Sequence, residues 1–389
     1  MTLHLTSPDS STISPTDLPL LLQSSIRAAA EQMHNERSIP AKLLSELRDA
    51  GAFSLLTPSE LGGFEAPLTT VLKVYEGFGR VDASVAWIVW NANFGFLAAL
   101  LDESGVERIW TDGARPVFAN SGMPGVAIPV DGGYQVSGHW KIVSGVNSAE
   151  WLVVVAVIKQ DGVPRLTAAG TADVRLFILR PDQLSVRDTW HVSGMRGSGS
   201  NDVVVENAVV PADLVAPLDL PARIQRPLYQ GFVPALVFPG STAIVLGVAQ
   251  AAIDEAVKLA TTKKAPGGGT LAEVARIQAT VARAEADVAA ARLLLLSRAE
   301  TLDAAADMEV TIEQRAALRA AMSHGARVCR ETLVAMYELG SSSSLYQSNP
   351  LERLFRDGMV ALQHANHSAG FFEAAGRVRF GQDPGVALF

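Results

Sequence analysis

The chain has 389 residues, 48% of them hydrophobic and 19% charged, a balance that fills a large core and excludes a disordered chain. A net charge of −8, with no dense run of Lys or Arg, argues against a nucleic-acid surface. The single cysteine, Cys329, excludes a disulfide framework and a multi-cysteine metal centre, so the expected compartment is the cytoplasm.

Residues 1–17 read as a flexible tail, because Met1 to Pro19 is rich in Ser, Thr and Pro and lacks the basic and apolar segments of a signal peptide. Residues 18–114 read as a helical domain. Leu21, Leu22, Ile26 and Ala29 recur at helical spacing, as do Leu43, Leu44, Leu47 and Ala50. Gly51 to Gly63 breaks the pattern, and an apolar helix runs from Ser84 to Leu101.

Residues 115–228 change character. Short β-branched runs at Tyr134 to Val136, Trp151 to Ile158, Val174 to Leu179 and Val203 to Val205 are bounded by turn residues such as Asp131-Gly-Gly133, which predicts short antiparallel strands. Residues 229–389 are helical again: Gly240 to Thr262, Leu271 to Ala305, Glu313 to Leu339 and Leu351 to Ala375, with a Pro- and Gly-rich loop at Lys263 to Gly269. The most apolar helical stretch, Ser241 to Ile253, is too short to cross a bilayer and reads as a core helix, so no membrane partner is expected.

The order helices, β domain, long-helix bundle resembles the acyl-CoA dehydrogenase superfamily over nearly the whole chain. The resemblance is carried by Ala50 to Gly63, Gly133 to Trp151, Trp190 to Asp202 with Val203 to Pro211, and Pro350 to Asp357. It implies an α+β fold: an N-terminal helical domain, a central antiparallel β-barrel or sandwich that binds flavin, and a C-terminal four-helix bundle. Counting on from Arg356-Asp357, Ala365 stands about where the best-known dehydrogenases carry their catalytic Glu. His364 and His367 stand there instead, and that pair, with Phe118 to Gly125, resembles the two-component flavin-dependent monooxygenases, which include aromatic hydroxylases and dibenzothiophene monooxygenases.

The resemblance implies reduced FMN or FAD, held non-covalently and supplied by a separate NAD(P)H:flavin reductase. It also implies O2, a small apolar or aromatic substrate, a C4a-hydroperoxyflavin and a homotetramer. It gives the catalytic role to His367 first and His364 second; a His exchanges protons near neutrality, and an i, i+3 spacing on a helix turns both rings to one face. The flavin contacts implied are Ser144 and Gly145 beside the ring, Asn120 and Ser121 in a loop along its edge, Ser198 and Ser200 in a Gly/Ser-rich turn, Lys263 and Lys264 near its phosphate, and Ser341 and Arg356. The substrate pocket falls to Trp87, Asn91, Asn93 and Phe94, on a helix where most of Trp87, Trp90 and Phe94 should be core and one of the three should touch substrate. No metal is expected, since the one Glu-x-x-His, Glu31 to His34, lies outside the bundle. No Gly-x-Gly-x-x-Gly joins a strand to a helix, so the chain has no nicotinamide motif. The alternatives are an acyl-CoA dehydrogenase with a displaced base and a flavin-free binding or scaffold relative.

Overall fold

The computed structural model describes residues 13–168, 170–218, 222–230, 233–304, 310–386 and 389. The expected tail lies mostly outside these residues, and Pro15–Asp17 already forms a turn of 3-10 helix leading into the first helix. Five helices follow: α1 (Leu18–Glu36), α2 (Ala41–Asp49), α3 (Leu68–Val81), α4 (Ala83–Ala92) and α5 (Glu103–Ile109). The buried stripe of α1 is Leu18, Leu22, Ile26 and Met33, while Leu21 faces out. The Asp82 carboxylate starts α4 by accepting the Val85 N–H at 3.1 Å, and every residue of α4 is buried, as expected of a helix apolar all round.

The sheet comprises β1 (Phe118–Val130), β2 (Gly133–Val143), β3 (Trp151–Gln160), β4 (Val163–Pro164), β5 (Val174–Leu179), β6 (Ser185–Arg187), β7 (Asn201–Pro211) and β8 (Val215–Pro217). Its order is β6-β7-β2-β1-β3-β5-β8, with β4 paired to β3. The expectation of purely antiparallel strands is corrected at one pairing: β1 and β3 run parallel, so the sheet is mixed. The cause is topological. The β1–β2 hairpin fills one edge of β1, so a strand that follows β2 and takes the other edge must run in the direction of β1. Asn120 and Ser121, expected in a loop, lie on β1 just before a bulge between Ser121 and Pro124.

The last zone holds α6 (Pro227–Gln230), α7 (Val233–Val237), α8 (Pro239–Thr262), α9 (Ala275–Ala304), α10 (Ile312–Gly340), α11 (Pro350–Ala361) and α12 (Gly370–Arg379). Helix α8 packs on α9, α10 and α11 to make the expected bundle, and on α3 to join it to the first domain. Length does not keep this segment out of a bilayer: Val233–Thr262 is long and apolar enough to span one, but 83% of its most apolar window is buried against the rest of the chain. It is the central helix of the core.

The α3–α8 crossing depends on two glycines. A Cβ at Gly247 would stand 2.1 Å from the Glu76 carbonyl oxygen, and one at Gly79 would stand 2.4 Å from that of Ile244. Both obstacles are backbone, so Gly247→Ala is expected to force the helices apart and cost about 1–3 kcal/mol. In contrast, a Cβ at Gly376 on α12 meets nothing, and Gly376→Ala should be neutral or stabilising by up to about 1 kcal/mol. Urea midpoints of the two variants check the contrast; equal midpoints would refute it.

Candidate active site

The site is built on α4. Ser84, Trp87, Ile88 and Asn91 recur at i, i+3, i+4 and i+7, so they share a face, and α4 packs on β1 and on α11. Trp87 and Trp90 meet edge to face at 4.8 Å, and each presents its ring to His364 at 5.4 Å. The Trp90 indole is held by donating to the Val237 carbonyl at 2.8 Å.

The expectation that His364 and His367 share a helix face is corrected. Helix α11 stops at Ala361, His364 takes an extended conformation (φ −61°, ψ 142°), and Ala365–His367 is a 3-10 turn. Asn and Ser compete with helical hydrogen bonding through their side chains, and here the His364 ring itself caps the turn, its Nδ1 accepting the Asn366 N–H at 3.2 Å. The two imidazoles nevertheless end 6.3 Å apart.

With Nδ1 accepting, the His364 proton sits on Nε2. His364 packs against both tryptophan rings, and the residue stays accessible to solvent. Burial, and after it the charge of Arg319, push its pKa down to about 4. His367 is 5% accessible, and neither ring nitrogen has a formed hydrogen bond although the Ala361 and Ser241 carbonyls lie close. Burial, and after it His364, push its pKa down to about 3. Near neutral pH each ring is therefore uncharged; His364 offers its Nε2–H, its lone pair being taken by the Asn366 N–H, and His367 carries one N–H and one lone pair.

The β domain supplies the other wall. The Asn120 Nδ2 donates to the Asn91 carbonyl at 2.8 Å and to its Oδ1 at 3.2 Å, which joins β1 to α4. The Ser121 Oγ accepts the Met123 N–H at 3.4 Å across the bulge. The Ser144, Ser200 and Ser198 hydroxyls form a buried chain with both links at 2.8 Å. Gly145 takes φ +74°, a conformation costly for any side chain, and its N–H donates to the Ser198 carbonyl at 2.9 Å. A Cβ there would touch Ile88 of α4.

Not every expected residue belongs to this wall. The amide of Asn93 is consumed: its Oδ1 accepts the Leu55 N–H at 2.7 Å, and its Nδ2 donates to the Ala52 and Val89 carbonyls at 2.8 and 2.7 Å. It ties the loop after α2 to α4 and cannot orient a substrate. Phe94 packs beside Phe96, at 5.0 Å, past the end of α4. Arg356 is engaged by Glu352, at 2.5 and 2.9 Å, and by the Ser193 carbonyl. The Gly/Ser turn of Ser198 and Ser200 is buried between domains, not open as a phosphate cradle. Lys263 donates to the Gly340 carbonyl at 2.8 Å and to the Ser343 Oγ at 2.9 Å, next to Ser341, while Lys264 is exposed. These three residues gather at the far end of α8, opposite Ser241 and His367. The sequence reading missed Asn366, whose signal was an Asn set inside a helix-like run.

Comparison with known proteins bears on the same segments. A family model described as acyl-CoA dehydrogenase, N-terminal domain, matches residues 20–109, and one described as acyl-CoA dehydrogenase, C-terminal domain, matches residues 240–369. Together they span more than half of the chain. The chain belongs to the acyl-CoA dehydrogenase family. Indole-3-acetate monooxygenase of Acinetobacter baumannii is 28% identical over 366 residues, 92% of each chain. The flavin-dependent monooxygenase oxygenase subunit HsaA of Mycobacterium tuberculosis is 26% identical over 380 residues, 93% of this chain and 94% of the relative. The crystal structure of 3-HSA hydroxylase from Rhodococcus sp. RHA1 superposes with a TM-score of 0.89 over 97% of this chain and all of that one, at 24% identity, which fixes the fold. Within this family the position counted for a dehydrogenase base is Ala365, exposed between the two histidines.

Residues that would hold a flavin can be tested on the donors present. The serine chain has three O–H protons and two links, so one proton is left over for an outside acceptor. Among the described residues nothing donates to the Asn120 Oδ1, which is left as an acceptor beside the Asn91 contact. A ring with a polar edge fits these groups.

Proposed function

We infer that this chain is the oxygenase component of a two-component flavin-dependent monooxygenase acting on a small aromatic substrate. One observation carries the reading: the neutral, accessible His364 packs against the Trp87 and Trp90 rings where a dehydrogenase would need a carboxylate, and the substrate cleft is placed beside it. Reduced FMN or FAD, when bound, supplies the electrons that activate O2, one oxygen atom going to substrate and the other to water.

The remaining chemistry belongs to the side chains. Tryptophan edges favour the face of an aromatic ring and keep water from the cleft. The His364 Nε2–H points a donor at whatever occupies it, and His367 offers a second N–H or lone pair behind. Asn120 and the spare serine proton would meet the polar edge of the flavin. Relatives named as oxygenase subunits support a separate reductase as partner.

Lys263, Lys264 and Ser341 support a homo-oligomer. Ser241 and Lys263 stand 22 residues apart on or at the end of α8, about 33 Å along a helix. A flavin bound at His364 does not reach that far in the same protomer, so a contact with these residues would come from a second copy. A single buried cysteine accords with work in a reducing cytoplasm beside the reductase.

The test supplies NADH, a flavin reductase, flavin and 18O2 with a panel of indoles and phenols. Wild type should release product carrying one 18O atom. His367→Ala should keep its fold and flavin affinity, lose at least about tenfold in product per NADH, and release the balance as H2O2. Anaerobic bleaching of bound FAD by an acyl-CoA would overturn the reading in favour of a dehydrogenase.

A further inference from the structure

We propose that Arg319 and Asn366 are positioning residues of the oxygenation site, holding His364 with its Nε2–H towards the cleft. The proposal rests on the oxygenase reading, although the geometry behind it does not. Arg319 lies on α10 and is 4% accessible. Its guanidinium carbon sits 4.3 Å from the Phe238 ring centroid and 4.2 Å from that of Phe371, so two rings from separate elements clamp a planar cation. A group held in this way cannot swing. Its Nη1 points at the Asn366 Oδ1, 3.5 Å away.

Asn366 is tied at its other end as well. Its Nδ2 donates to the Phe238 carbonyl and to the Ser241 Oγ, each at 3.4 Å. The amide orientation follows from this pattern, with oxygen towards the cation and nitrogen towards two acceptors. The backbone N–H of the same residue then meets the His364 Nδ1 at 3.2 Å. Phe238, Phe371, Arg319, Asn366 and His364 thus form one connected support.

The support decides what the cleft sees. A neutral imidazole exists as two tautomers, and fixing Nδ1 as acceptor selects the one with its proton on Nε2. Site histidines are commonly oriented by a carboxylate, which raises their basicity. Here the orienting chain ends on a cation, which works the other way. The charged groups near the ring are Arg319 from α10 and, beyond His367, Arg330 of the same helix. Helix α4 turns Trp87 and Trp90 to it, and α8 contributes the neutral Ser241 to its support, so no carboxylate among the described residues opposes the two arginines. His364 is thereby a fixed hydrogen-bond donor rather than a proton-transfer acid over the neutral range.

Long-range 1H–15N spectra of the flavin-free protein, labelled at histidine, test this directly. The His364 signal is the one lost in His364→Gln. Wild type should show one tautomer, Nε2–H, uncharged from pH 8 down to about 5. Asn366→Asp keeps the shape and the contact with Arg319 and adds a negative charge, so the titration midpoint should rise by about one unit or more. Arg319→Met should raise the midpoint and populate both tautomers. In the reconstituted reaction Arg319→Met should lose several-fold in product per NADH at unchanged flavin affinity, with partial recovery in Arg319→Lys, which restores the charge but not the plane. A mixed tautomer in wild type, or a His364 signal unmoved in both Asn366→Asp and Arg319→Met, overturns the proposal. Shifted spectra in a wild type that never oxygenates a substrate would instead sink the oxygenase reading and leave the positioning intact.

Discussion

Arg353→Met is expected to cost about 3–5 kcal/mol of folding stability, because it strips the cation from between two buried carboxylates. The Arg353 Nη2 meets the Asp82 Oδ2 at 2.5 Å and its Nε meets the Asp357 Oδ2 at 3.3 Å, and the two acid side chains are 5% and 8% accessible. Each carboxylate also holds a joint of the fold. The Asp82 Oδ1 starts α4, and the Asp357 Oδ1 accepts the Met195 N–H at 2.6 Å, which pins the Gly/Ser turn of the β domain to α11. Burial, and after it the nearby Asp82, already push the Asp357 pKa up. Removing Arg353 raises it further, so the folded variant binds a proton that its unfolded chain does not. A folded-state pKa raised above the unfolded one makes the variant's deficit largest at neutral pH and smaller as pH falls through the raised value. Urea titrations at pH 7.5 and 5.5 should show the gap to wild type narrowing in acid. A loss under about 1 kcal/mol, or one that does not change with pH, would show that the ion cluster holds nothing together.

This cluster shows how far the sequence could be read. Arg356-Asp357 stood out as a motif, and its place on a bundle helix was legible from the helical run Leu351 to Ala375. Its task was not. Which arginine faces which acid depends on α4 and the β-domain turn, more than 150 residues away in the chain, and no periodicity reports such a pairing. In the structure Arg353 takes the Asp partners, and Arg356 takes Glu352 and the Ser193 carbonyl.

Helix and strand positions were legible where residue spacing or composition marked them: α2, α8, α10 and the β1–β2 hairpin over Asp131-Gly132. The parallel β1–β3 pairing was hidden, because a strand's sequence does not say which side of its neighbour it joins. The break between α11 and α12 was hidden for a local reason. Gln363 to Ser368 holds no Pro or Gly to mark a stop, yet the chain leaves α11 at Ala361 and forms a 3-10 turn that His364 caps by accepting the Asn366 N–H. That break is why His364 reaches Trp87 and Trp90 while His367 turns inward. The serine chain of Ser144, Ser198 and Ser200 was legible as three separate hydroxyls, but its connectivity came from folding two loops onto Ile88 and Ser84. Lys263 and Ser341 were read separately as flavin contacts; that they lie together, and far from the histidines, follows only from the fold and the length of α8.

Acid should destabilise the protein early and through the site itself. The ordinary pKa of a histidine is about 6.5, and burial holds that of His367 at about 3 in the fold. Above pH 6.5 neither state carries the proton and the histidine contributes no pH dependence. Below it the unfolded chain takes up a proton that the folded protein refuses, so stability falls by about 1.4 kcal/mol per pH unit, or about 2 kcal/mol by pH 5. His364 and His34, whose pKa values are also lowered, act with the same sign. The carboxylates with lowered pKa values, Glu60, Asp173, Asp188 and Asp202, lose their contribution only as pH falls below about 4.5, and Asp357 has the opposite sign. Between pH 7 and 5 the histidines therefore set the downward slope, which Asp357 opposes, and the difference between wild type and a histidine variant isolates the histidine share. His367→Gln keeps a polar side chain of similar reach without a titrating group, so it should make the fall of the urea midpoint across that window shallower than in wild type, by the share of one histidine. Parallel slopes for wild type and variant would mean that His367 takes up a proton in the fold, and the site would then hold an imidazolium in place of the neutral donor and acceptor on which its chemistry is built.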